Sequence, residues 1–281
     1  MASPELTSTR SPKVTAARRL AKRAFRSQDR LFLAEGPQAV REAVLTPGVT
    51  ADVFVTADAF ARHPEIIGAA AASGIHVHRA SGEVLASICQ TVTPQGIVAI
   101  CRFVDVALTD VVTSDPRLVA MLANVRDPGN AGTVLRAADA AGADAVIVTD
   151  ASVDVYNPKC VRASAGSLFH LPVVVSVRVE DAVKALRDVG MRVLAADRAG
   201  DRDLDTELDC GILGAPSAWI FGNEAWGLPE DTRALADAVV RVPIYGRAES
   251  LNLAAAAAVC LYASARAQRS AEGCRQPESN R

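Results

Sequence analysis

The sequence predicts an α/β fold with largely parallel sheets, on three observations. Apolar runs of strand length alternate with segments of helical character along most of the 281 residues. Half of the residues are hydrophobic, enough for a sizeable core in one large domain or two modest ones. The stretch from Leu118 to Gly142 has the form strand, tight turn, helix: an apolar run Leu118–Leu122, a turn through Asp127-Pro128-Gly129-Asn130, and a helix bearing Arg136.

Taken in chain order, residues 1–12 are rich in Ser, Thr and Pro and are expected to be a disordered start. Residues 10–30 carry Arg10, Lys13, Arg18, Arg19, Lys22, Arg23, Arg26 and Arg30 against one acid, Asp29, and read as a basic helix. Such a helix is either a phosphate-contacting surface or a solvated amphipathic face. Strands are expected at Leu31–Ala34, Asp52–Thr56, Ile75–His78 and Ile97–Cys101, with a helix at Pro37–Val44. A polar stretch follows, with Asp110, Thr113, Ser114 and Asp115, and residues 105–117 are expected to be a linker between a domain at 13–104 and one at 118–268. The second domain should hold strands at Leu118–Ala123, Ala145–Thr149, Pro172–Val177, Arg192–Ala196, Ala218–Phe221 and Val239–Val242. Its helices should cover Gly132–Ala141, Pro158–Ala165, Val179–Val189 and Asn252–Gln268. The last is nearly pure alanine and other apolar residues, so it must be buried or closely packed, and Ser250 is a candidate N-cap. Residues 269–281 are polar and are expected to be a flexible tail.

Composition excludes several classes. Aromatic residues make up 4% of the chain, too few for a base-stacking sheet. The net charge of −2 argues by itself against nucleic-acid binding, and the basic stretch argues the other way. The cysteines at 89, 101, 160, 210, 260 and 274 include no C-x-x-C pair and fit reduced, mostly buried thiols. The N-terminus has no charged-then-apolar signal, and the longest apolar run, Leu253 to Ala263, is too short to cross a bilayer. A cytoplasmic protein without membrane contact is expected. Neither G-x-G-x-x-G nor G-x-x-x-x-G-K-[ST] occurs, which lowers the case for a Rossmann oxidoreductase or an NTPase. His76 and His78 share a strand face without an evident third ligand, so they are expected to be an exposed pair and no metal is expected.

Three segments carry chemistry. The turn at Asp127–Asn130 brings a strand end and a helix N-terminus to one point, where backbone N–H groups and the positive dipole end favour an anionic or polar ligand. Gly222-Asn223-Glu224, followed by Gly227, lets backbone bend or approach a ligand, with a carboxylate at the mouth of the turn. Val242-Pro243-Ile244 ends a strand, and Ser250-Leu251-Asn252 enters the alanine-rich helix. Taken singly, each can also be an ordinary βα turn, a surface turn or a capped core helix.

Together, in this order, they resemble the three motifs of the SpoU (TrmH) family of RNA 2′-O-ribose methyltransferases, in the SPOUT class. Asn124, Arg126, Asp127, Pro128, Asn130, Gly132 and Arg136 match the first motif. Gly222-Asn223-Glu224 with Gly227 match the second, and Pro243 with Ser250-Leu251-Asn252 the third. Arg30–Gly36 and Thr93–Ala99 resemble a small α/β substrate-binding domain similar to ribosomal proteins L30e and L7Ae, so the resemblance spans roughly residues 15–267.

The resemblance implies a SPOUT-type α/β knot domain, with a deep trefoil knot, preceded by an L30e-like domain. It implies S-adenosylmethionine as cofactor and a homodimer. The implied reaction is methyl transfer to a ribose hydroxyl of structured RNA. Ribosomal RNA, 23S in particular, is favoured over transfer RNA, and one branch of this layout confers thiopeptide resistance. Arg136, Asn130, Glu224, Ser250 and Asn252 are implied as the catalytic set, with Arg136 acting either as a base or as an organiser of ribose and phosphate. Gly222, Asn223, Gly227, Val242, Ile244 and Leu251 are implied as cofactor contacts. Arg18, Arg19, Lys22 and Arg23, together with Lys159 and Arg162 in the Asn157–Gly166 segment, are the candidate RNA contacts. The rivals are a tRNA-directed enzyme, a non-catalytic RNA-binding protein that keeps the fold, and a small-molecule methyltransferase.

Overall fold

The structure is a computed structural model and describes residues 5–223 and 225–273. The chain divides into two compact units, Met1–Val104 with Asp154–His170, and Asp105–Val153 with Leu171–Arg281.

The first unit is built on a four-stranded sheet of β1 (Leu31–Glu35), β2 (Thr50–Val55), β3 (His76–Arg79) and β4 (Ile97–Arg102), in the order β1-β4-β2-β3. β4 runs antiparallel to both β1 and β2, and only β2 and β3 are parallel. This sheet is therefore mixed, where parallel pairing was expected. The helices before β4 that accompany it are α1 (Pro12–Arg19), α2 (Arg23–Asp29), α3 (Pro37–Leu45), α4 (Ala57–Arg62), α5 (Pro64–Ala72) and α6 (Gly82–Ile88). Side chains cap α1, α4 and α6: Ser11, Thr56 and Ser81 each accept from the backbone N–H three residues on. The basic stretch is thus two short helices. The start is ordered by Leu6, which pairs with Ala80 beside β3 through the Leu6 N–H to Arg79 O bond of 2.8 Å. Val14, Ala17 and Leu20 then pack with Leu33, Phe54, Val84, Leu85 and Ile88 in the core.

The second unit holds a seven-stranded sheet of β5 (Leu118–Leu122), β6 (Ala145–Thr149), β7 (Val173–Val177), β8 (Arg192–Ala196), β9 (Arg202–Asp203), β10 (Ser217–Phe221) and β11 (Ala238–Arg241). The order is β7-β6-β5-β10-β8-β11-β9, and every neighbouring pair is parallel. Its helices are α7 (Leu108–Val112), α8 (Pro128–Ala141), α10 (Val179–Asp188), α11 (Leu204–Asp209), α12 (Glu230–Ala234) and α13 (Leu253–Gly273), while α9 (Pro158–Ser164) belongs to the first unit. Strands covered on both faces explain the unbroken apolar runs. Val119, Met121, Ile147, Val193 and Ile220 pack towards Val111 of α7 and Val183 and Leu186 of α10. Trp219, on the opposite alternation, is buried and donates its indole N–H to Ser264 Oγ of α13 at 2.8 Å.

Three segment expectations change. Residues 105–117 are not a bare linker, because α7 buries Val111 and rests Val106, Leu108 and Val112 on the core of the second unit. Residues 154–170 pack with the first unit although they follow β6. Tyr156 stacks on Phe103 with ring centroids 3.7 Å apart, and Asp154 takes the buried Arg26 guanidinium at 2.6 Å. The C-terminal helix runs on to Gly273, past the expected start of the tail. His78 also departs from the expected exposed pair: it is buried, with Nε2 2.7 Å from Asp52 Oδ1, while His76 stays exposed.

Candidate active site

Open parallel sheets bind ligands beyond the carboxyl ends of their strands, where chain directions diverge. Such a cleft opens here above β8, β10 and β11. Its walls come from the segments that follow those strands: Ala196–Arg198 after β8, Phe221–Asn223 with Ala225 and Gly227 after β10, and Val242, Ile244 and Glu249–Leu251 after β11. Leu253 and Ala256, at the start of α13, close it.

The segment after β10 is a tight hairpin. Asn223 and Gly227 exchange backbone bonds of 3.0 and 2.9 Å, and Asn223 Oδ1 accepts from Ala225 N–H at 2.8 Å. Asn223 Nδ2 donates to the carbonyl of Asn124 at 3.2 Å, which ties the hairpin to the loop after β5. Gly227 has φ +71°, and a Cβ there would stand 2.6 Å from Asp197 Oδ2. A Cβ on Gly222 would meet Gly227 O at 2.6 Å. Gly222 is therefore fixed by close packing within the hairpin, and Gly227 by its left-handed φ together with the nearness of Asp197.

The loop after β5 leads directly into α8. Asp127 is the N-cap, its Oδ1 accepting from Asn130 N–H at 2.8 Å, with Pro128 in the first turn. α8 thus starts four residues before the expected Gly132, and Asn130 sits on its first turn. The third segment also differs from expectation. Asn252, not Ser250, caps α13: its Oδ1 accepts from Ala254 N–H at 2.9 Å and its carbonyl from Ala256 N–H at 2.9 Å. Its Nδ2 donates to Asn130 Oδ1 at 3.2 Å.

All six candidate cofactor residues, Gly222, Asn223, Gly227, Val242, Ile244 and Leu251, line the cleft, as does Ser250. Asn130 and Asn252 meet beside it, and Glu224 lies outside the described residues. Arg136 does not line it. Six residues along α8, its side chain leaves the helix about 120° round from that of Asn130, and it is exposed, with no ion-pair partner among the described residues.

The candidate RNA contacts all belong to the first unit. Arg18, Arg19, Lys22, Arg23 and Lys159 are exposed, and the Arg19 guanidinium lies over Phe25 at 4.0 Å from the ring centroid. Arg162 is committed elsewhere. It donates to Glu35 Oε2 at 2.8 Å, and the Glu35 side chain is 1% exposed, its other oxygen taken by Gln90 N–H at 2.8 Å. A cation that balances a buried carboxylate is poorly placed to neutralise a phosphate. Arg26, in the same basic stretch, is likewise buried, bonded to Asp154 and to the carbonyls of Leu20 and Ala21.

One residue of the site was missed from sequence. Asp197 lines the cleft and holds its second segment: Oδ2 accepts from Leu228 N–H at 3.0 Å and Oδ1 from Ala199 N–H at 2.9 Å. A carboxylate directly after an apolar strand was the available signal.

The matches to known proteins agree with this geometry. The model of the SpoU rRNA Methylase family matches residues 117–262, and the MRM3-like substrate binding domain matches residues 11–99. A Bacillus subtilis relative, a 23S rRNA (guanosine(2553)-2′-O)-methyltransferase, is 33% identical over 92% of this chain and 98% of its own. Among solved structures, an AdoMet-bound rRNA methyltransferase from Sinorhizobium meliloti superimposes with a TM-score of 0.80 at 32% identity, covering 94% of this chain and 97% of that one. The SpoU methyltransferase AviRb from Streptomyces viridochromogenes, in complex with AdoMet, gives 0.79 at 29% identity over 92% of this chain and all of its own. With a front domain, a parallel-sheet cleft and all three motif segments gathered around it, the chain belongs to the SpoU rRNA methylase family.

Proposed function

We propose that this protein is an S-adenosylmethionine-dependent RNA 2′-O-ribose methyltransferase with 23S ribosomal RNA as its substrate. The observation that carries this reading is a cleft lined by the second and third motif segments, with the first tied to both through Asn223–Asn124 and Asn252–Asn130. The full-length match to a 23S rRNA 2′-O-methyltransferase supports the choice of RNA. A tRNA-directed enzyme is the second reading.

The cleft suits the adenosyl group. Val240, Val242, Ile244, Leu251 and Leu253 offer apolar walls for a purine, and the hairpin from Gly222 to Gly227 supplies backbone at close range. S-adenosylmethionine, when bound, supplies an electrophilic methyl group, and no metal is needed. Among the described residues no group of three metal-ligating side chains occurs.

The chain's own residues have to orient a ribose hydroxyl and ease the loss of its proton. Asn130 and Asn252, each held by backbone bonds at a helix start, form a rigid amide pair that can hold the ribose. Ser250 adds a hydroxyl on the cleft wall. Arg136 brings a planar fork able to grip a phosphate and a ribose oxygen together.

Because Arg136 is exposed on α8 and is not among the residues that line its own cleft, we infer that it serves the cleft of a second copy. The protein then works as a homodimer. Val259 and Tyr262 on α13 are 42% and 52% exposed, and Tyr262 donates to Ala140 O of α8, four residues beyond Arg136. An apolar face beside an outward arginine suits an interface between copies. Mixing Arg136→Ala protein with Asn252→Ala protein, each inactive alone, should restore up to about a quarter to half of the activity through mixed dimers, and no recovery would place Arg136 elsewhere.

The exposed Arg18, Arg19, Lys22 and Arg23 should contact phosphates of the RNA, with Lys159 alongside. Placement in the cytoplasm follows from the substrate. Among the described residues no helix is long and apolar enough to cross a membrane.

A further inference from the structure

We propose that Trp226 is the stacking platform for the base of the target nucleotide. The proposal rests on the RNA methylation reading and adds a positioning residue that the three motifs do not contain.

Aromatic residues are scarce in this chain, and the described ones are mostly buried or half-buried. Among the described residues the exposed ones are Trp226, Tyr245 and Tyr262, and the two tyrosines are anchored by their hydroxyls to Asp205 and to Ala140 O. Trp226 is 60% exposed, whereas Trp219 is fully buried.

The position of Trp226 is as informative as its exposure. It stands between Ala225 and Gly227, both of which line the cleft, on the hairpin closed by the reciprocal Asn223–Gly227 bonds. That hairpin is fastened on one side to Asn124 in the loop that leads to α8, and on the other to Asp197 through Leu228 N–H. The backbone that carries this exposed indole is thus fixed beside the cleft.

The chemistry asks for such a group. A nucleotide that leaves its stack to bring its ribose deep into the cleft needs a new π-face for the unstacked base. An indole accepts any of the four bases, so it positions the nucleotide while other contacts choose it.

The test compares wild-type protein with Trp226→Ala and Trp226→Phe, using unmodified 23S rRNA transcript and labelled S-adenosylmethionine. Circular dichroism checks the fold, and calorimetry measures cofactor affinity. The expected result is a roughly 5- to 100-fold rise in KM for rRNA in Trp226→Ala. Cofactor affinity should be unchanged, and Trp226→Phe should recover most of the loss. An unchanged KM in Trp226→Ala would overturn the proposal, as would equal impairment of both variants with loss of cofactor affinity, which would mark a structural role. A wild-type protein that transfers no methyl group to rRNA would instead sink the methylation reading, and the proposal with it.

Discussion

The side-chain amide of Asn252 donates to the side-chain carbonyl of Asn130 across 3.2 Å, joining the first turn of α8 to the N-cap of α13. The two residues stand 122 positions apart in sequence. Serine at 252 would still cap α13 but is too short to span that distance. Asn252→Ser should therefore keep thermal stability within about 0.5 kcal/mol of wild type while slowing single-turnover methyl transfer by roughly tenfold. Equal rates would show that the bond has no part in positioning.

Arg162 balances Glu35, and its removal would leave a buried carboxylate unpaired. Arg162→Ala should cost roughly 3 kcal/mol in denaturant unfolding. Lys159→Ala should cost almost none and should weaken RNA binding instead. A stable Arg162→Ala protein with weakened, less salt-dependent RNA binding would return Arg162 to the RNA surface.

Gly227→Ala would force a left-handed φ of +71° on a side chain and drive its Cβ to 2.6 Å from Asp197 Oδ2. The hairpin must then shift. Calorimetry should show cofactor affinity reduced by roughly tenfold or more, from a strain of about 1–3 kcal/mol. Wild-type affinity would mean that the hairpin does not shape the cofactor site.

Much of this structure was legible in the sequence. The strands of the second unit fall close to the expected runs because strands buried on both faces, such as Val119–Leu122 and Val146–Val148, have no polar alternation to blur them. The cleft residues were legible because glycine, asparagine and proline at strand ends have few other uses. The direction of β4 was not legible, since periodicity carries no strand polarity. Nor was the docking of residues 154–170 on the first unit, which depends on Arg26–Asp154 and Arg162–Glu35, pairs separated by more than 120 residues. Helix starts were misplaced where turn-forming residues proved to be first-turn and capping residues, as at Pro128 and Asn252. The family's trefoil knot has no local signature at all.

Burial pushes the thiols of Cys89 and Cys101 up from 9.0 to about 12. For Cys89 the Glu35 carboxylate adds to the effect. An unfolded thiol ionises near pH 9, while the folded one keeps its proton to about 12, so alkali favours the unfolded chain. Stability should thus be intact below pH 9 and fall by about 1.4 kcal/mol per pH unit per thiol above it. Urea unfolding at pH 8 and pH 10 should show a smaller drop for the Cys89→Ala, Cys101→Ala double variant than for wild type. Equal drops would mean that neither thiol is held protonated by the fold. In the native protein at pH 8, the exposed Cys210 should react with a thiol reagent well before the buried Cys89, Cys101, Cys160 and Cys260.

The decisive measurement is methyl transfer itself. Purified protein, S-adenosylmethionine carrying a labelled methyl group and unmodified 23S rRNA are incubated with a chelator present, and the product is mapped by resistance to alkaline hydrolysis. The expected result is label at one nucleotide whose 3′ linkage resists alkali, as a 2′-O-methyl ribose must, with transfer abolished in Arg136→Ala. Label on a base, label lost on chelation, or no transfer to rRNA would contradict a metal-free 2′-O-methyltransferase of ribosomal RNA.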